Sequence, residues 1–181
     1  MTLDELNTEG VAPALLLLPQ AMTSPEARVL LFAIALQESG LVERAQVVYD
    51  GQGNEIKGPA RGWWQFEIGS RSSGGGVWGV YQHPASRYWL NELCKDRGIP
   101  FFAASIWAAI ENDDVLAAGL ARLLIFTDPR KLPALIDVQG AWALYANRCW
   151  RPGKPRPKDW ANNHFQAVAY VTQDTSSESD A

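Results

Sequence analysis

Apolar positions recur at helical spacing along most of the chain, and Gly, Pro and Asp/Asn/Ser cut that pattern into elements. Val11 to Leu18, preceded by Gly10 and broken by Pro13 and Pro19, reads as a short apolar helix packing on the core. The clearest helix starts at the cap Ser24 and Pro25, runs through Arg28, Val29, Phe32 and Leu36, and stops at Gly40. Helical patterns resume at 84–96 and at 103–110, where Ile106, Trp107 and Ile110 share a face. Asn112 or Asp113 caps the next helix, Val115 to Phe126, whose Leu116, Leu120, Leu123 and Leu124 form an apolar stripe ended by Asp128-Pro129. A short helix over 132–136, a longer one over 139–149 and a last one over 160–171 complete the helical set.

Two stretches break the period. Val42 to Ala60 is polar, with turn signals at Asp50-Gly51 and Gly53-Asn54, and reads as a hairpin or an irregular loop. Gly69 to Gly79 is rich in glycine, and Gly74-Gly75-Gly76 lacks the lysine of a phosphate loop, so a flexible rim is expected. The fold class predicted is α+β, predominantly helical. Its 181 residues suit one main domain over 23–171, preceded by an extension over 1–22 carrying the short apolar helix. Thr172 to Ala181 is serine-rich and acidic, and is expected to be a disordered or partner-bound tail.

Charge and cysteine content narrow the function. The net charge is −4, and the basic residues are scattered apart from Arg148, Arg151, Lys154, Arg156 and Lys158, so nucleic acid is not a favoured partner. That cluster reads first as a solvated proline-rich connector and second as a binder of anionic glycans or phosphates. Cys94 and Cys149 are expected to be reduced and buried, and with His83 and His164 they make no metal-ligand spacing, so neither metal nor cofactor is expected. The apolar run Val11 to Leu18 is too short to span a bilayer, and Asp4, Glu5 and Glu9 precede it in place of the basic residues of a secretory leader. A chain starting in the cytoplasm, without a membrane partner, is the expectation. Eight tryptophans invite a sugar-stacking role, although burial is the commoner fate of any one of them.

One residue sits oddly in this pattern. Glu38 falls on the last turn of the helix that Gly40 ends, where the partial negative charge of the carbonyl terminus disfavours ionisation and raises a carboxyl pKa. A raised carboxyl pKa is what a general acid needs.

Downstream of Glu38-Ser39 come Gly62-Trp63-Trp64-Gln65, the leucine helix from Val115, and Trp142-Ala143-Leu144-Tyr145-Ala146-Asn147. This order resembles the lytic transglycosylase and goose-type lysozyme group of peptidoglycan-cleaving enzymes, over most of the chain from Pro25 to Trp150. Trp63-Trp64 stands where that group has Leu-Met, and Ala146 lies between the members of its Tyr-Asn pair. The resemblance implies a lysozyme-like domain with a small polar hairpin beside the catalytic helix. It implies Glu38 as catalytic acid, Ser39, Gln65, Trp64 and Asn147 as substrate-binding residues, and Tyr145 as the tyrosine that positions the glutamate. A group of this kind cuts the bond between N-acetylmuramic acid and N-acetylglucosamine.

Glycoside cleavage needs a protonated carboxyl at the bridging oxygen and a means of meeting the positive charge that develops at the sugar carbon. Transglycosylases of this group use the substrate's N-acetyl group and 6-hydroxyl for the second task. A hydrolase wants a second carboxylate, for which Glu43, Asp50, Glu55 and Glu67 are candidates. Glu67 is the best placed of these, because strand alternation would put it on one face with Gln65, although its first reading is a solvated loop charge. Two functions follow: a bacteriophage wall-cleaving enzyme, carried in the virion for genome entry or released from the host cytoplasm, and a tail or neck adaptor with a lysozyme-like fold that docks through Thr172 to Ala181. A weaker third is cleavage of plain N-acetylglucosamine polymers.

Overall fold

A computed structural model of the chain describes residues 1–151 and 155–178. The fold is α+β and predominantly helical, with one two-stranded antiparallel sheet. Its elements are α1 (Leu3–Leu6), a π-helical turn (Asn7–Val11), α2 (Ala12–Leu16), a 3-10 turn (Gln20–Met22), α3 (Pro25–Ser39), β1 (Ala45–Tyr49) and β2 (Glu55–Arg61). There follow α4 (Gly76–Gln82), α5 (Pro84–Asp96), α6 (Ala103–Ala109), α7 (Asp114–Phe126), α8 (Val138–Leu144), a second π-helical turn (Tyr145–Cys149) and α9 (Trp160–Glu178).

α7 is the axis of the core. The expected leucine stripe understates it, because every residue from Asp114 to Ile125 is buried and α2, α3, α4 and α5 all pack on it. Asp113 is its cap, its carboxylate accepting from Leu116 N at 2.9 Å. A helix apolar all round belongs at the centre of a domain.

α3 follows the sequence reading closely. Ser24 Oγ accepts from Ala27 N at 3.2 Å at the start, and Gly40 ends the helix in the left-handed region at φ 57°. Residues Val29 to Ala35 are all buried between α7 and α9, with Phe32 edge-on to Tyr170 at 5.0 Å. α3 reaches the surface again only in its last turn, which carries Gln37, Glu38 and Ser39.

The hairpin pairs Val47 with Lys57 and Tyr49 with Glu55, with a bulge between Ala45 and Val47. Asp50 organises its tip, one carboxylate oxygen accepting from Gln52 N at 2.8 Å and Asn54 N at 2.9 Å. Its base is tied to the corner before α7: Arg44 Nη2 donates to Asp114 at 2.8 Å, Arg61 pairs with Glu111 at 2.9 Å, and Trp107 Nε1 donates to Pro59 O at 2.9 Å.

Several expectations change. The apolar segment from Val11 is part of a longer run of helical turns that begins at Leu3. Residues 132–136 are not helical, and α8 starts at Val138 behind Asp137, whose side chain accepts from Gly140 N at 2.8 Å. α9 does not stop at Val171 but continues to Glu178, so most of the acidic segment read as a tail is helix. Residues 179–181 and Lys154 lie outside the described residues. Both cysteines are free and buried, and desolvation pushes their thiols up, Cys94 to about 11 and Cys149 to about 12. Among the described residues no helix is long and apolar enough to cross a membrane.

Candidate functional site

The last turn of α3 forms part of a cleft of about 1200 Å³ whose other walls come from the hairpin, the segment 65–76, the second π-helical turn and the start of α9. Glu38 is half-buried there, and its Oε1 accepts a hydrogen bond from the Tyr145 hydroxyl at 2.6 Å. Burial pushes the Glu38 carboxyl up to about 7, against the hydrogen bond, which favours the charged form. Desolvation is thus the leading cause of the rise that the sequence reading assigned to the helix terminus. A carboxyl at this value is partly protonated near neutral pH, so it can give a proton and take one back.

Tyr145 is 1% exposed and fixed by rings on several sides. Trp160 stacks on it at 5.1 Å with an interplanar angle of 8°, and Trp142 and Trp150 pack at 5.5 and 5.7 Å. Indole hydrogen bonds hold two of those rings, Trp160 to Val138 O at 3.0 Å and Trp150 to Trp64 O at 3.2 Å. The phenol's own pKa is driven far up by this burial and by the neighbouring carboxylate, so it remains a donor at any working pH. The cage therefore sets where the Glu38 oxygen sits.

Gln65 also lines the cleft, but not on a strand. It ends a turn over 62–65 that is closed by paired hydrogen bonds between Arg61 and Phe66 at 2.9 and 3.0 Å. Gln65 itself adopts φ 48°, and its amide donates to Gly62 O at 2.9 Å. Glycine is required at 62, where φ is 70° and a Cβ would lie 2.6 Å from Ile110 O. The alternation argument for Glu67 fails with the strand. Glu67 nevertheless lines the same cleft, exposed, with no ion pair among the described residues.

The remaining predicted residues are not brought together. Trp64 is fully buried, its indole donating to Leu31 O of α3 at 2.9 Å, so it is a core residue and not a sugar platform. Ser39 turns back on its own helix: its hydroxyl donates to Ala35 O at 3.0 Å and accepts from Leu41 N at 3.2 Å. Asn147 lies on the second π-helical turn, exposed and outside the cleft lining. Of the other carboxylates considered, Asp50 and Glu55 are engaged at the hairpin tip, Glu55 accepting from Tyr49 at 2.9 Å, and Glu43 does not line the cleft.

Sequence reasoning missed Gln37, Phe66, Trp150, Asp159 and Asn163, which all line the cleft. The spacing of Trp142, Tyr145 and Trp150 was a visible hint of the aromatic cage, whereas Asn163, whose amide donates to Gln37 Oε1 at 3.0 Å, arrives only through the packing of α9 on α3. Among the described residues no group of three or more His, Cys, Asp or Glu side chains could hold a metal ion. Comparison with protein-family models, with curated proteins and with solved structures finds no match for this chain.

Proposed function

We propose that the chain cleaves the glycan strand of peptidoglycan on a lysozyme-like scaffold, with Glu38 as the proton donor to the bridging oxygen. The observation that carries this reading is the desolvated Glu38 carboxyl, at about 7, held by Tyr145 in the lining of a cleft of about 1200 Å³. A titratable group placed this way has a chemical use, because cleavage of a glycosidic bond requires a neutral carboxyl beside the leaving oxygen.

In this scheme Glu38 gives its proton to the bridging oxygen as the bond from the sugar carbon to that oxygen breaks. The substrate's N-acetyl oxygen covers the positive charge at that carbon. The 6-hydroxyl oxygen then bonds to the same carbon and displaces the N-acetyl oxygen while the Glu38 carboxylate takes the hydroxyl proton, which closes an anhydro ring and restores the acid. Tyr145 holds the carboxylate between the two transfers. Glu67 is exposed and has no ion pair among the described residues, which suits a group outside the proton path.

The test is clearing of permeabilised bacterial cells by the wild type and by Glu38→Gln, with mass spectrometry of the released fragments. Clearing by the wild type alone, with anhydro ends, is expected. Reducing ends would transfer the second step to water and return Glu67 to the mechanism. Equal clearing by both proteins, or none by the wild type, would overturn the reading.

A further inference from the structure

The segment that follows Trp150 brings Arg151, Arg156 and Lys158 to the same cleft as Glu38. All three side chains are exposed, and none belongs to an ion pair among the described residues. Of the other cations of this stretch, Arg148 is engaged by Asp128, and Lys154 lies outside the described residues. In a chain of net charge −4, three exposed cations converge on one cleft, Arg151 among them donating to Asn147 O at 3.4 Å.

Their placement is built. Gln37, the neighbour of Glu38 on α3, donates from its amide to Arg156 O at 2.8 Å and accepts from Asn163 of α9 at 3.0 Å. This clamp fixes the backbone at Arg156 to the same turn that carries the acid. Three carboxyl groups, Glu38, Glu67 and Asp159, line the cleft as well, so it carries both signs of charge, and Arg151, Arg156 and Lys158 are the cations that an entering anion can pair with. A neutral sugar polymer would gain nothing from such an arrangement, whereas a strand with carboxylates hung at intervals would gain charge-assisted contacts.

Resting on the proposed cleavage of glycan strands, we infer that Arg151, Arg156 and Lys158 bind carboxylates carried by the peptides attached to alternate sugars, and so select a charged strand over plain N-acetylglucosamine polymers.

The test separates this from cleavage itself by measuring binding in the Glu38→Gln background. Cosedimentation is measured with native cell-wall sacculi and with sacculi whose carboxylates have been neutralised by carbodiimide and methylamine. Adding Arg156→Gln and Lys158→Gln is expected to weaken binding to native sacculi about three- to tenfold, the range for two exposed charge pairs. Binding to neutralised sacculi should not change, and the charge-preserving pair Arg156→Lys and Lys158→Arg should bind native sacculi as the parent does. Equal binding of both sacculi by the parent, or an equal loss on both from the glutamine pair, overturns the charge reading. Failure of the otherwise wild-type protein to release fragments overturns the cleavage reading alone, since binding is scored without it.

Discussion

The Tyr145 hydroxyl donates to Glu38 Oε1 at 2.6 Å, joining the end of α3 to a residue 107 positions later in the chain. The bond pulls the Glu38 pKa down while burial pushes it up to about 7. Phe at 145 keeps the ring stack and removes only the donor. Tyr145→Phe should therefore move the alkaline limb of the activity profile to higher pH by about half a unit to one unit. It should also lower kcat by about tenfold or more as the carboxyl loses its fixed orientation. An unmoved limb in a pH series of clearing rates would mean that the bond does not tune the acid.

Stability should depend on pH through the same group. The Glu38 carboxyl titrates near 4.5 when unfolded and near 7 when folded, so the folded state binds more protons between those values. The contribution of Glu38 is fully present below about pH 4.5 and is lost as pH rises through about 7. Glu38→Gln removes this loss. The variant should be more stable than the wild type at pH 8 by on the order of 2 kcal/mol, and so melt at a higher temperature, and the gap should narrow towards pH 4.5. Thermal melts of the two proteins across that range check the sign.

Trp64 separates packing from binding. Its indole fills the space under α3 and donates to Leu31 O. Trp64→Phe should cost about 1–3 kcal/mol of stability through the lost bond and volume, with KM unchanged within about twofold. A large KM change in a protein of unchanged melting temperature would restore a sugar-contacting role.

Gln65 holds a left-handed backbone that a glycine adopts without penalty. Gln65→Gly should leave the melting temperature within a few degrees of wild type, because relief of that conformation offsets the lost bond to Gly62 O at 2.9 Å. If the amide serves the cleft, the same variant should lose activity. Full activity would make Gln65 a turn residue alone.

The parts of the molecule legible in the sequence are those set by local chemistry. Ser24, Pro25 and Gly40 state the ends of α3, and Asp50 with Gly51, Gly53 and Asn54 states the hairpin tip. Glu38 stood out because its position on a terminating turn is itself local, and Tyr145 stood out by its place in a motif order. The misplaced residues depend on non-local packing. Gln65 and Glu67 were set on a strand because alternation cannot foresee a turn that Gly62 makes possible by its approach to Ile110 O. Trp64 was given to the ligand because nothing near it in sequence says that α3 will lie above it. The extent of α9 was missed for another reason: Thr, Ser and acidic residues read as tail, yet the helix was already committed by its packing on α3.

The π-helical turn over Tyr145–Cys149 bears on how this site could change over generations. A wide turn of this kind takes up one surplus residue without breaking the helix. The phase of the chain before it, which aims Tyr145 at Glu38, is thereby uncoupled from the phase after it, which aims Trp150 at Tyr145. The acid and its tyrosine can persist while length varies one residue away, so a search that demands fixed spacing past Tyr145 would pass over sequences built on the same contact.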